Sequence, residues 1–293
     1  MDGGGVVFSH QRFLIHFIYL QTSGEFKWGA FFSKRFWRIY PPYLLVLLFF
    51  YISRIDLSKS GLIHFFSHVF LVHNLSDHTF FSLNPSFWSI ALEVQLYLLP
   101  AYLFYKTAGR QTSFLPLYFV SWPMATTFIP MPSTFVLKFW FTWAAGAFLA
   151  DRYFQNKTVF NRPILWFLLF YGLFFAFKLH HVSHRFIVIP ATLSCVALMV
   201  ILYNRFIDQF AISRTIFKYL SSVGLISYSV YLIHQPFLFD LLNLFSPGTH
   251  SAPFNNLVSV VCAYTTIFLV SFALYNLVEL KSIDYGKQTR KKG

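Results

Sequence analysis

The chain has 293 residues, of which 56% are hydrophobic, 22% aromatic and only 11% charged, and it carries a net charge of +13. A soluble domain holds about twice that charged fraction, and a mean hydropathy of +0.56 without alternating strands excludes an outer-membrane barrel. The expected class is an all-α polytopic transmembrane bundle with the lipid bilayer as its first partner. The basic residues fall between apolar runs, where they set topology, and no aromatic-basic groove pattern points to nucleic acid.

Taken in chain order, residues 5–20 form a marginal helix, interrupted by His10, Gln11, Arg12 and His16. It reads as a damaged or interfacial element rather than a span. The residues before it lack the basic start and apolar centre of a cleavable signal. About eight complete spans follow from run length and breaks: 39–55, 87–105, 113–129, 134–150, 163–178, 186–204, 223–243 and 256–278. Residues 1–280 are expected to form one transmembrane domain, with 1–20 an incomplete first region. Residues 281–293 are expected to form a basic cytoplasmic tail, disordered or lying on the anionic leaflet. No internal repeat of the transporter kind is visible.

Alternating the spans places 17 of the 23 Lys and Arg in loops of one side and 4 on the other. The positive-inside rule then makes the C-terminus cytoplasmic and the cytoplasmic (inner) membrane the expected location. Cys195 and Cys262 lie inside apolar runs and match neither a metal site nor a disulfide framework.

Four groups of residues are candidates for chemistry. Glu93 sits in the apolar run 87–105, at a cost on the order of a few kcal/mol unless it meets a partner or a polar cavity. It lies ~9 Å below the outer end of its span, with Ser89 one turn earlier on the same face. It is either a helix-packing carboxylate or a functional one. His234 lies ~13 Å from the outer end of its span, a similar depth. Ser227, Tyr231 and His234 make a polar stripe at i, i+4 and i+7, which should face protein or water; Pro236 is expected to kink the helix. Arg35 and Arg38 stand one turn apart at the cytoplasmic end of a span. They are topology anchors or, given the bidentate habit of guanidinium, a site for the phosphates of a cytosolic donor. His64, His68, His73 and His78 fall in the long outer segment 56–86. His64 and His68 have the i, i+4 spacing of metal ligands, but no HExxH and no carboxylate other than Asp77 accompanies them. The expectation is no metal.

Five stretches carry a resemblance to a known family. They are KRFWRIYPPYL, NPSFWSIALEVQLYLLP, FTWAAGAFLA, VGLISYSVYLIHQP and YNLVE, which closes on Glu279. In order and spacing, over about residues 13 to 285, they resemble the acyltransferase-3 family of integral-membrane acyltransferases. The resemblance implies transfer of an acyl group, usually acetyl, from acetyl-CoA or another acyl-CoA to a hydroxyl of a carbohydrate, glycolipid or surface polysaccharide. It implies that Arg35 and Arg38 hold CoA phosphates and that a histidine is general base, with Glu93 orienting it. The family normally begins with a full span ending in its histidine. Here MDGGGVVFSH resembles only remnants of that span, so the resemblance implies truncation or deletion at the N-terminus, with His10 the nearest match. No GxSxG is present, so direct transfer is expected rather than an acyl-enzyme serine. A transport or export component, or an inactive remnant, are the alternatives.

Overall fold

The computed structural model describes residues 4–22, 27–53, 58–108, 139–209, 214–245 and 256–292. Every regular element among them is helical. In chain order these are α1 (Gly4–Gln21), α2 (Trp28–Ser53), α3 (Lys59–Val69), α4 (Trp88–Ala108), α5 (Trp140–Phe154), α6 (Pro163–Leu179), α7 (His184–Gln209), α8 (Arg214–Phe245), α9 (Leu257–Leu274) and α10 (Leu280–Lys292). Short 3-10 turns stand at His73–Leu75 and Pro85–Phe87, and a π-helical turn, Tyr275–Glu279, joins α9 to α10. Four of these helical stretches are long and apolar enough to cross a membrane: Trp28–Ser53, Phe186–Asn204, Ser221–Phe245 and Leu257–Lys291, while α6 is apolar but shorter. The expectation of about eight spans is therefore met in kind, not in number. The expected span 113–129 lies outside the described residues.

The chain divides into two compact units. The first is Met1–Phe26 with Leu92–Ala211, and the second is Lys27–Ala91 with Ile212–Gly293.

In the first unit, α1 packs on α5 and α7, and α6 packs on α7. Its core holds Phe13, Ala145, Leu149, Val196 and Met199. Of the polar residues that interrupt α1, Arg12 and His16 are buried together with Ser9, Gln11 is half-buried and His10 is exposed, while Leu14 and Ile18 are exposed. Buried polar groups beside exposed leucine and isoleucine are the pattern expected where a helix borders an apolar medium. Arg12 stacks its guanidinium 5.5 Å from the centre of the Trp143 ring. Gly146 lets α1 and α5 touch, because a Cβ there would overlap the backbone oxygen of Ser9.

In the second unit, α8 packs on α9 and α10 packs on α2. Proline positions one of these contacts and another between α8 and the segment of Asn84. A proline in a helix leaves the carbonyl four residues earlier without its N–H partner. Pro41 so frees the oxygen of Trp37, and the Ser282 hydroxyl of α10 donates to it. Pro236 frees the oxygen of Leu232, and the Asn84 amide donates to it at 2.8 Å. The helix α8 continues through Pro236. For residues 281–293 the expectation is a basic tail, disordered or lying on the anionic leaflet; in the structure Leu280–Lys292 is helical. Tyr285 lies edge-on to Trp37 at 4.8 Å, and Gly286 leaves no room for a side chain against that indole. A docked aromatic face orders a segment whose composition alone reads as solvated.

Candidate functional site

The candidate residues fall into three clusters, one in the first unit and two in the second.

In the first unit, Glu93 is half-buried on α4. Oε1 accepts from the Tyr97 hydroxyl one turn on, and from the Gln11 amide of α1 at 3.1 Å. The α1 side chain that reaches this carboxylate is Gln11; its neighbour His10 is exposed. Both donors are neutral, and no cation stands within ion-pair distance of Glu93 among the described residues. Tyr97 was legible as an i+4 neighbour; Gln11 was not, because it comes from a distant helix. The same unit holds a pair that sequence reading missed. Buried His16 meets buried Asp151 at 3.0 Å through Nε2. A carboxylate accepts, so Nε2 carries the hydrogen.

The second cluster ties the motif containing Asn84 to the motif containing His234. Besides the Asn84 bond, Ser86 Oγ donates to Gln235 Oε1 at 3.1 Å. The Tyr231 hydroxyl donates to the Ser86 carbonyl at 2.6 Å and meets the Ser89 hydroxyl at 2.5 Å. Ser89, expected on the face of Glu93, is thus engaged with α8. The half-buried ring of His234 has Nδ1 2.9 Å from the Tyr231 carbonyl. That carbonyl can only accept, so in the neutral ring the hydrogen sits on Nδ1 and the lone pair on Nε2. Nε2 has no protein partner among the described residues. The predicted stripe is broken at its first member. Ser227 is exposed and its hydroxyl bonds the carbonyl of Gly224 at 2.7 Å. A serine satisfied by its own helix tolerates an apolar surround. The buried serine of this segment is Ser229.

The third cluster gathers the basic motif and the closing acidic residue. Glu279 is fully buried. Oε2 accepts from the Ser229 hydroxyl at 2.7 Å, and Oε1 faces Arg38 Nε at 3.7 Å. The Arg38 side chain remains 43% exposed. Arg35, on the same helix, lies 5.5 Å from the Phe31 ring centre. The structure therefore brings Arg38, Ser229 and Glu279 together, three residues separated by up to 241 positions in the chain.

The outer-segment histidines behave as structure. His68 and His73 are fully buried and stack with ring centres 3.9 Å apart and planes 2° from parallel. His68 Nδ1 bonds the His64 carbonyl at 2.8 Å. His68 Nε2 and both nitrogens of His73 have no hydrogen-bond partner, and the backbones of Phe87 and Ser67 approach His73 outside bonding geometry. Burial pushes His68 down to about 4 and His73 to about 3, so both rings are neutral near pH 7. No group of three His, Cys, Asp or Glu able to hold a metal ion occurs among the described residues.

Compared with known proteins, the chain matches over residues 5–276 a family model described as an acyltransferase domain. No curated protein and no solved structure matches it.

Proposed function

Because the chain belongs to the acyltransferase-3 family, we propose that it moves an acyl group, acetyl in the first instance, from a cytosolic acyl-CoA to a hydroxyl of a carbohydrate or cell-surface polysaccharide. The protein would lie in the cytoplasmic membrane with its C-terminus in the cytoplasm, as the 17-to-4 distribution of Lys and Arg favours.

Four groups are assigned roles. Arg38, half-exposed beside a buried carboxylate, takes phosphate oxygens of the donor, with Arg35 beside it on α2. His234 is the general base. Its Nε2 removes the proton from the acceptor hydroxyl as the oxygen attacks the thioester carbonyl. The carbonyl–sulfur bond then breaks, and the CoA thiolate leaves and takes up the proton. Glu93 is the carboxylate that orients the α1 side of the reaction, acting through Gln11 beside His10. His10 is the second histidine able to serve as base.

The single observation that carries this reading is the anchoring of His234. Its Nδ1 is held by a backbone carbonyl inside a knot of two family motifs, which leaves Nε2 as the free acceptor. The test is acyl-CoA-dependent thiol release and acetylation of carbohydrate by membranes holding the full chain. His234→Ala should lower kcat at least 100-fold with the protein still in the membrane, and His10→Ala should do less. If His234→Ala transfers normally and His10→Ala does not, the base is on α1. If both variants keep full activity, the site assignment is wrong.

A further inference from the structure

We infer that Glu279 is a positioning residue for Arg38, a built-in counter-anion that holds the guanidinium at one edge and presents its other edge to the donor phosphates. The inference rests on the reading above, in which Arg38 binds those phosphates.

The argument starts from the helix junction. Between α9 and α10 the chain makes one π-helical turn, Tyr275–Glu279, with the Leu280 N–H returning to the Tyr275 carbonyl. One extra residue in a helix turns everything after it by about 100°, and such turns concentrate at functional sites. Here the turn ends on Glu279, the acidic residue with no exposed surface. A carboxylate taken out of water costs several kcal/mol unless it is compensated. Its compensation is divided: the Ser229 hydroxyl holds Oε2 at 2.7 Å, and Arg38 Nε faces Oε1 at 3.7 Å. At the neighbouring residue the Ser282 hydroxyl of α10 donates to the Trp37 carbonyl left open by Pro41. Helix α2 thus meets α10 at Trp37 and the π-helical turn at Arg38.

The chemistry lies in which nitrogen is engaged. A guanidinium offers five N–H donors in a planar fork. At 3.7 Å, beyond hydrogen-bond reach, the Glu279 carboxylate faces the guanidinium from its Nε edge as an ion pair, while the pair of terminal amino groups forms the outer edge suited to a bidentate phosphate. Arg38 keeps 43% of its side chain exposed although its partner is fully buried. A long cation at a membrane surface otherwise snorkels freely; the buried carboxylate removes that freedom before the donor arrives.

The experiment is steady-state kinetics with acetyl-CoA on membranes holding the full chain, with thermal unfolding in detergent as a check on folding. Glu279→Gln should raise KM for acetyl-CoA about fivefold or more with kcat within twofold. Glu279→Asp should recover part of the loss. Arg38→Gln should raise KM further, and adding Glu279→Gln to it should change nothing more. Equal KM for Glu279→Gln and the parent, with Arg38→Gln raising KM, overturns the inference and leaves phosphate binding by Arg38 standing. Unchanged KM in Arg38→Gln overturns both. Where Glu279→Gln does not accumulate, Ser229→Ala carries the test: a KM rise of about twofold with kcat kept supports positioning, and an unchanged KM overturns it.

Discussion

Glu93 and Glu279 are both carboxylates on helices of a membrane protein, yet they are satisfied in different ways. Glu93 is half-buried and rests on two neutral donors, Gln11 and Tyr97. Glu279 is fully buried and divides itself between a hydroxyl and a cation. Among the described residues Glu93 meets neutral donors alone, the arrangement that suits the role proposed for it on the α1 side of the reaction. A carboxylate already opposite an arginine acts through that arginine. The difference teaches that burial alone does not mark the reactive group; the identity of the partners does.

This contrast can be broken by experiment. The largest effect is expected from Glu93→Gln, which keeps the shape and one acceptor oxygen but removes the charge. Transfer should fall at least 100-fold through kcat, with the thermal midpoint nearly unchanged. A change in the KM for acyl-CoA instead would erase the distinction from Glu279. The next effect extends the contrast to polar groups that have no partner. His68 and His73 are held neutral by burial, with values of about 4 and 3 against 6.5. Their folded values lie below the unfolded one, so this contribution is complete above about pH 6.5 and is lost as pH falls through 4. Each ring should cost on the order of 3 kcal/mol by pH 4. Thermal unfolding in detergent from pH 7.5 to 4 should show this acid limb, and His73→Phe should flatten it by about half. The smallest effect belongs to the neutral bonds of one amide. Asn84→Ala leaves both the Leu232 carbonyl and the Ser86 N–H without their partner and should lower stability by about 2 kcal/mol, read in the same unfolding measurement at pH 7.5. An unchanged midpoint would mean that the carbonyl freed by Pro236 is satisfied in some other way.

The central residues of the candidate clusters were legible in advance. Glu93, His234 and Arg38 each stood out because a costly or basic side chain interrupted an apolar run, and all three sit in polar clusters. Their partners were hidden for a physical reason. Gln11 lies 82 positions from Glu93, Asn84 lies 148 from Leu232, and Ser229 lies 50 from Glu279. Helical periodicity reports neighbours three or four residues away and nothing beyond. Helix α1 is not among the four described stretches long and apolar enough to cross a membrane, in keeping with its marginal hydropathy, but the partners of its polar residues were hidden on the same ground. Polar residues lower mean hydropathy whichever way they face, and only packing shows which ones turn inward. His16 and Asp151 show the consequence: His16 stood out only as an interruption of α1, and Asp151 did not stand out at all.

Proline is where the two levels meet. From sequence, Pro41 and Pro236 predict a carbonyl without its helix partner, and that much needs no structure. Which donor fills each vacancy depends on which helices lie alongside. Ser282 and Asn84 answer that question through contacts formed across 245 and 148 positions. Composition and apolar run length by themselves pointed to a helical membrane protein, because the bilayer demands apolar helices, and the five local motifs carried the resemblance to its family. Tertiary structure decided which polar groups of distant segments are paired, because the bonds of Glu93 to Gln11, of Ser86 to Gln235 and of Glu279 to Ser229 and the ion pair of Glu279 with Arg38 close between segments that only folding brings together.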